Sequence, residues 1–94
     1  MTVTGVDFDC GWRLNRQVAL RPEAFGALAY HFGTRRLSFL KSRTLLEVVQ
    51  TLADHDSARA ACEAAGVGPE ELPSYERALA TLADTGMITP RDRP

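Results

Sequence analysis

A chain of 94 residues with 45% hydrophobic content is long enough to form one domain and to bury about two thirds of its unfolded surface without staples, which excludes a disordered tail. Two cysteines make no disulfide framework, no charged-then-apolar leader is evident, and no apolar run approaches the ~20 residues that span a bilayer, so a reducing cytoplasm is expected and membrane insertion is not. The net charge of −1 conceals a division, since residues 1–46 hold seven basic and three acidic groups while residues 47–86 hold two and eight.

Met1 to Gly11, with Gly5, Asp7 and Asp9 and no sustained period, reads as a flexible N-terminal arm. Trp12 is the first anchor. Trp12, Leu14, Val18 and Leu20 fall on even positions, Arg16 breaks the pattern, and Gln17 to Arg21 forms the strand proper before Pro22. Gly26 to Leu40 then reads as a β-hairpin. Leu28, Tyr30 and Phe32 alternate before Gly33, which supplies the turn, and Leu37 and Phe39 alternate after it. This alternation assigns Leu37 and Phe39 to the core face and leaves Ser38 and Leu40 on the other. The second run, Arg36 to Leu40, is the last strand before the helices and is expected at a sheet edge, which is either guarded or used. Arg35, Arg36, Lys41 and Arg43 lie around it with no acidic residue between Glu23 and Glu47, a cluster that keeps the hairpin soluble or steers an acidic partner.

After Lys41 the period becomes helical. Leu45, Val49 and Leu52 share a face, with Ser42 or Thr44 as N-cap and Thr44 with Glu47 as a capping box. A second helix starts at Asp56 or Ser57, buries Ala58, Ala61, Cys62 and Ala65, and stops at Gly66 with Val67 packing back on Cys62. A third runs from Pro73, harmless at a first helical position, to Thr85, with Leu72, Tyr75, Leu79 and Leu82 in period and Gly86-Met87 repeating the stop. Residues 90–94 read as a tail, which leaves 12–89 as the domain. Three strands followed by three helices define an α+β fold whose helices cover one face of a three-stranded antiparallel sheet.

The titratable groups do not assemble into an enzyme. Cys10, His31, Cys62 and His55 lack metal-ligand spacing, the carboxylates are scattered, and neither a nucleophile motif nor a glycine-rich phosphate loop occurs. Catalytic, cofactor and metal sites are therefore expected to be absent, with Cys62 a buried structural thiol and both histidines structural or surface residues.

Trp12-x-Leu14, VALRPEAFGALAYHFGTRRLSFLKS from Val18 to Ser42 and the following DHDSARAACEAAGV segment resemble the mycofactocin biosynthesis peptide chaperones, relatives of the small chaperone of pyrroloquinoline quinone biosynthesis. The resemblance covers residues 12 to 88. It implies a winged-helix-like peptide-recognition element that needs no cofactor of its own. Such a chaperone binds the leader of a ribosomally made precursor peptide and presents the peptide's C-terminal end to a radical S-adenosylmethionine maturase, which decarboxylates a terminal tyrosine and joins it to the adjacent valine. The mechanism expected on that basis is β-augmentation along Arg36 to Lys41. Arg35, Arg36 and Lys41 pair with acidic leader residues, Leu37, Ser38, Phe39 and Leu40 form the strand side, and Tyr75, Ala78, Leu79 and Leu82 form a helical wall. Which strand face meets the peptide is left open by the alternation.

Two other functions fit the same architecture. A DNA-binding regulator could use Gly33-Thr34-Arg35-Arg36 as a wing, but it needs a basic recognition helix, and the second and third helices set Arg59 against Glu63 and Arg77 against Glu76 and Asp84. Nucleic acid is therefore not expected as a partner. A homodimerisation module would use the same strand edge and could coexist with peptide binding.

Overall fold

The computed structural model describes residues 8–90. Two antiparallel sheets and a helical layer share one core. Strand β1 (Trp12–Leu14) pairs with β5 (Ile88–Pro90), while β2 (Val18–Glu23), β3 (Gly26–His31) and β4 (Leu37–Leu40) form a three-stranded meander in that order. Helices α1 (Arg43–Thr51), α2 (Ala58–Ala64) and α3 (Leu72–Asp84) follow, with a short 3-10 turn at Leu52–Asp54. The α+β order read from the sequence is thus present, with two short strands, β1 and β5, added. Ile88–Pro90, of which Pro90 alone is read from the sequence as tail, lies beside β1 in the register Trp12↔Pro90 and Leu14↔Ile88. Three residues ending in proline are too short to show a period of two, so periodicity does not reveal this strand. Pro90 therefore belongs to the fold, and the rest of the expected tail lies outside the described residues.

Asn15 separates β1 from β2. Its side-chain oxygen accepts the Gln17 N–H at 2.8 Å and its carbonyl accepts the Val18 N–H at 3.0 Å, a tight local turn that suits asparagine. The expected arm over residues 1–11 lies outside the described residues as far as Asp7. From Phe8 onward the chain is docked rather than loose. Phe8 is buried, its carbonyl accepts the Arg59 N–H at 2.9 Å, and the Cys10 carbonyl accepts the Ala58 N–H at 3.1 Å, which satisfies donors that the start of α2 leaves open. Arg59 closes this contact, with Nε 2.9 Å from Asp9 Oδ1 and its guanidinium 4.9 Å from the Phe8 ring centroid.

The meander carries the main correction to the sequence reading. Ala27, Ala29, His31 and Leu40 face the core, whereas Tyr30, Phe32, Leu37 and Phe39 face outward. Alternation identifies two faces but not which one is covered, and side-chain bulk points to the wrong one here. Alanines at 27 and 29 let α1 approach β3 closely, and the large residues take the outer side. Gly26 makes this approach possible, because at φ 150° a Cβ on it would collide with the Leu40 carbonyl.

The turn is also built differently from expectation. Arg35, not Gly33, adopts positive φ (64°), and Gly33 is needed because a Cβ there would press on the Gln17 and His31 side chains. His31 organises the tip. Its Nδ1 accepts the N–H groups of Gly33 (3.0 Å) and Thr34 (3.1 Å), its main-chain N–H donates to the Arg36 carbonyl (2.9 Å), and its Nε2 lies 3.4 Å from Asn15 Nδ2, which donates to the Gly86 carbonyl. This buried imidazole therefore joins the hairpin tip to the β1–β5 end of the molecule, the structural role open to it from sequence.

The helices follow their sequence signals closely. Ser42 Oγ caps α1 by accepting the Leu45 N–H at 3.0 Å, so Thr44 lies inside the helix and the Thr44-Glu47 capping box does not form. Ser57 caps α2 in the same way at Ala60. Gly66 and Gly86 close α2 and α3 at φ 91° and 78°, and the Val67 and Met87 N–H groups return to the carbonyls of Cys62 and Leu82. Fully buried Leu40, Val48, Val49, Leu52, Cys62, Leu79, Met87 and Ile88 form the centre of the core. Burial, with Glu63 adding and Arg59 opposing, pushes the Cys62 thiol up to about 11, so at neutral pH it is an unreactive packing group.

Replacing His31 by alanine removes the acceptor of two amides and leaves a hole beside Asn15. His31→Ala is expected to cost about 1–3 kcal/mol in urea unfolding and to speed hydrogen exchange at Gly33 and Thr34. Unchanged exchange at those two amides would contradict the role given to the imidazole.

Candidate functional site

Strand β4 is the outer member of the meander, with β3 on one side and no strand among the described residues on the other. Its register with β3 runs Ala27↔Leu40, Leu28↔Phe39, Ala29↔Ser38 and Tyr30↔Leu37, continuing the His31–Arg36 hydrogen-bonded pair at the turn. Antiparallel ladders alternate in direction. Ser38 and Leu40 therefore turn their main-chain groups toward β3, while Leu37 and Phe39 direct theirs to the open edge.

Facing that edge is α3, and between them lies a hollow of about 590 Å³ lined by Leu37, Ser38, Phe39, Lys41, Leu45, Ala78, Thr81 and Leu82. Three consecutive strand residues line it together, as expected when a main-chain edge rather than one face of a strand forms the wall. A smaller hollow of about 110 Å³ adjoins it toward the start of α3, between Ser42, Ser74 and Tyr75. Lys41, Leu45 and Ala78 border both hollows, so the two form one groove along β4 and α3. Its walls are mostly apolar, and exposed Lys41 places a cation at the junction.

The residues singled out from sequence are distributed unevenly over this groove. Leu37, Ser38, Phe39, Lys41, Ala78 and Leu82 line the larger hollow, and Tyr75 lines the smaller one. Leu40 and Leu79 are fully buried and line neither, because the inverted hairpin turns Leu40 inward and Leu79 lies on the core stripe of α3. Arg35 and Arg36 are exposed at the hairpin tip, beyond the hollows. Leu45, Thr81, Ser42 and Ser74 are additions. Ser74, Ala78 and Thr81 recur at i, i+4 and i+7, a stripe beside the apolar one whose small and polar residues carry little periodic signal. Leu45 reads from sequence simply as core.

Among the described residues no group of three or more His, Cys, Asp or Glu could hold a metal ion, and no helix is long and apolar enough to cross a membrane. What the groove offers is a strand edge without a partner strand among the described residues, a mostly apolar lining and the cation of Lys41.

Comparison with known proteins gives a consistent answer. Residues 11–89 match the model of the peptide chaperone MftB family. The chain belongs to this family. It is 59% identical over 86 residues to the peptide chaperone MftB of Mycobacterium ulcerans (strain Agy99), covering 92% of this chain and 79% of that protein. It is 60% identical over 85 residues to that of Mycobacterium tuberculosis (strain ATCC 25618 / H37Rv), covering 90% and 78%. With the protein of that name from Mycolicibacterium smegmatis (strain ATCC 700084 / mc(2)155) it shares 57% over 84 residues, covering 89% and 82%. These relatives are named as peptide chaperones and not as enzymes. No solved structure matches the chain, so the winged-helix likeness rests on the family resemblance alone.

Proposed function

We propose that this family member acts in mycofactocin biosynthesis by binding the leader region of a ribosomally made precursor peptide in the β4–α3 groove and presenting the peptide to a radical S-adenosylmethionine maturase. The leader adds as a strand to β4. Its main chain pairs with the outward N–H and C=O groups of Leu37 and Phe39, and alternate side chains enter the groove against Ala78, Thr81 and Leu82 or, farther along, Tyr75. Backbone pairing supplies sequence-tolerant affinity, while the shape of the hollow selects among side chains. The observation that carries this reading is a strand edge with no partner strand among the described residues, facing a mostly apolar hollow of about 590 Å³.

Leu40 and Leu79 act indirectly, by fixing β4 and α3 in the core. Arg35, Arg36 and Lys41 attract acidic leader residues. Exposed ion pairs of this kind are worth roughly 0–1 kcal/mol each, so they govern encounter rate more than final affinity. Nothing favours a duplex as the ligand, because the exposed surfaces of α2 and α3 present Glu63, Glu76 and Asp84.

Phe39→Pro removes one outward N–H, and proline is tolerated at an edge position of this kind. Calorimetry with the leader peptide is expected to show about tenfold weaker binding for Phe39→Pro than for Phe39→Ala, which removes the ring but keeps the amide. Equal affinities of the two variants would rule out pairing along this edge. Reversing charge with Arg35→Glu and Arg36→Glu should slow association several-fold at 20 mM salt and much less at 500 mM, where screening acts within about 3–4 Å. An association rate that ignores salt in the parent protein would remove the steering role.

A further inference from the structure

The groove takes only the Leu37 and Phe39 margin of the outer face of the meander. On that face Phe25, Tyr30, Phe32, Leu37 and Phe39 are 46%, 37%, 59%, 53% and 57% exposed. The rings are already paired with one another, Phe25 on Phe39 in a stack at 5.9 Å and Tyr30 on Phe32 edge to face at 5.4 Å. Preformed aromatic anchors lose little entropy on docking, and aromatic residues with arginine are what interface centres and hot spots favour. Arg21, opposite Leu28, is exposed on this face, and Arg35 and Arg36 are exposed at its hairpin tip. The one carboxylate between Trp12 and Leu46 is Glu23, which Arg21 already engages at 3.0 Å.

We infer that this face is a second docking surface, meeting the groove only along Leu37 and Phe39, and that its occupant is a partner protein presenting an apolar patch bordered by carboxylates. Charge decides among the occupants. Packing the face on a second copy brings two sets of these arginines to one rim with only Glu23 from each copy to offset them. An anionic bilayer would attract the arginines but repel the acidic helical layer of a chain whose net charge is −1. A carboxylate-rimmed protein surface complements both the rings and the rim. Strand addition at β4 would also set alternate leader side chains next to Leu37 and Phe39 on this face, so the partner would meet a platform made jointly by the domain and its peptide.

The inference rests on the proposed function only for its probe, the purified radical S-adenosylmethionine maturase. Phe25→Glu combined with Phe32→Glu alters the face at two positions that line neither hollow, and Phe32→Ser serves as a milder second variant. With amide spectra confirming the fold, maturase affinity is expected to fall at least tenfold for the double variant and several-fold for Phe32→Ser, with leader affinity within twofold of the parent. Maturase affinity unchanged by both variants, or absent in the parent, would overturn the inference. So would protection of Phe25 and Phe32 that arises only on self-association or only with phosphatidylserine vesicles. A parent that binds the maturase through this face but does not bind the leader would leave this inference standing and remove the groove reading.

Discussion

The close approach of α1 to β3 is the constraint from which the working surfaces follow. It requires alanine at 27 and 29, no side chain at Gly26, and Leu40 turned fully into the core. Once the inner face of the hairpin is this small, its large residues have only the outer side to occupy. The same packing fixes the register of β4, because Ala27 opposite Leu40 settles which main-chain groups are spent on β3 and which remain open. Burial at one position thus determines hydrogen-bonding capacity at the next.

An open strand edge beside exposed aromatic rings is a hazard for a small protein. The chain limits it with a strand of only four residues and with Arg35, Arg36 and Lys41 along its approach. Those cations have two compatible uses, since charges that repel another copy's edge also draw an acidic segment. The helical layer supplies the second wall without closing the edge, because α3 stands across a hollow from β4 and meets it through small side chains at 78 and 81. Membership in the peptide chaperone MftB family is the ground on which the proposed function reads this edge and groove as a recognition surface.

Much of this was legible in the sequence because local chemistry dictated it. Serines at 42 and 57, glycines at 66 and 86, and helical spacing through Leu79 and Leu82 mark elements that form where their own residues direct. The hairpin was legible for the same reason. Its inside and outside were not, since period two is symmetric and only the neighbouring helix breaks the symmetry. Bulk then argued for Leu37 and Phe39 as core, and the alanines that admit α1 looked like the solvent side. Strand β5 and the docking of Phe8 on α2 depend on partners 78 and 51 residues away in the chain, as in Trp12 with Pro90 and Phe8 with Arg59, and no local pattern encodes such distances. The groove was half legible. Its strand side followed from β4 being last, and Tyr75, Ala78 and Leu82 of α3 are read from the sequence as its wall, while Ser74 and Thr81 lie on a stripe of small and polar residues overshadowed by the apolar stripe next to it.

The most direct test of the central claim is an amide-resolved NMR titration of the isotope-labelled domain with a precursor peptide and with its leader alone. Strand addition predicts that the leader alone shifts Leu37, Phe39 and Lys41 strongly, together with residues of the α3 wall from Ser74 to Leu82, and slows exchange of the Leu37 and Phe39 amides while Ser38 and Leu40 change little in exchange. Saturating shifts that avoid β4, or equal protection of all four strand amides, would contradict pairing at this edge.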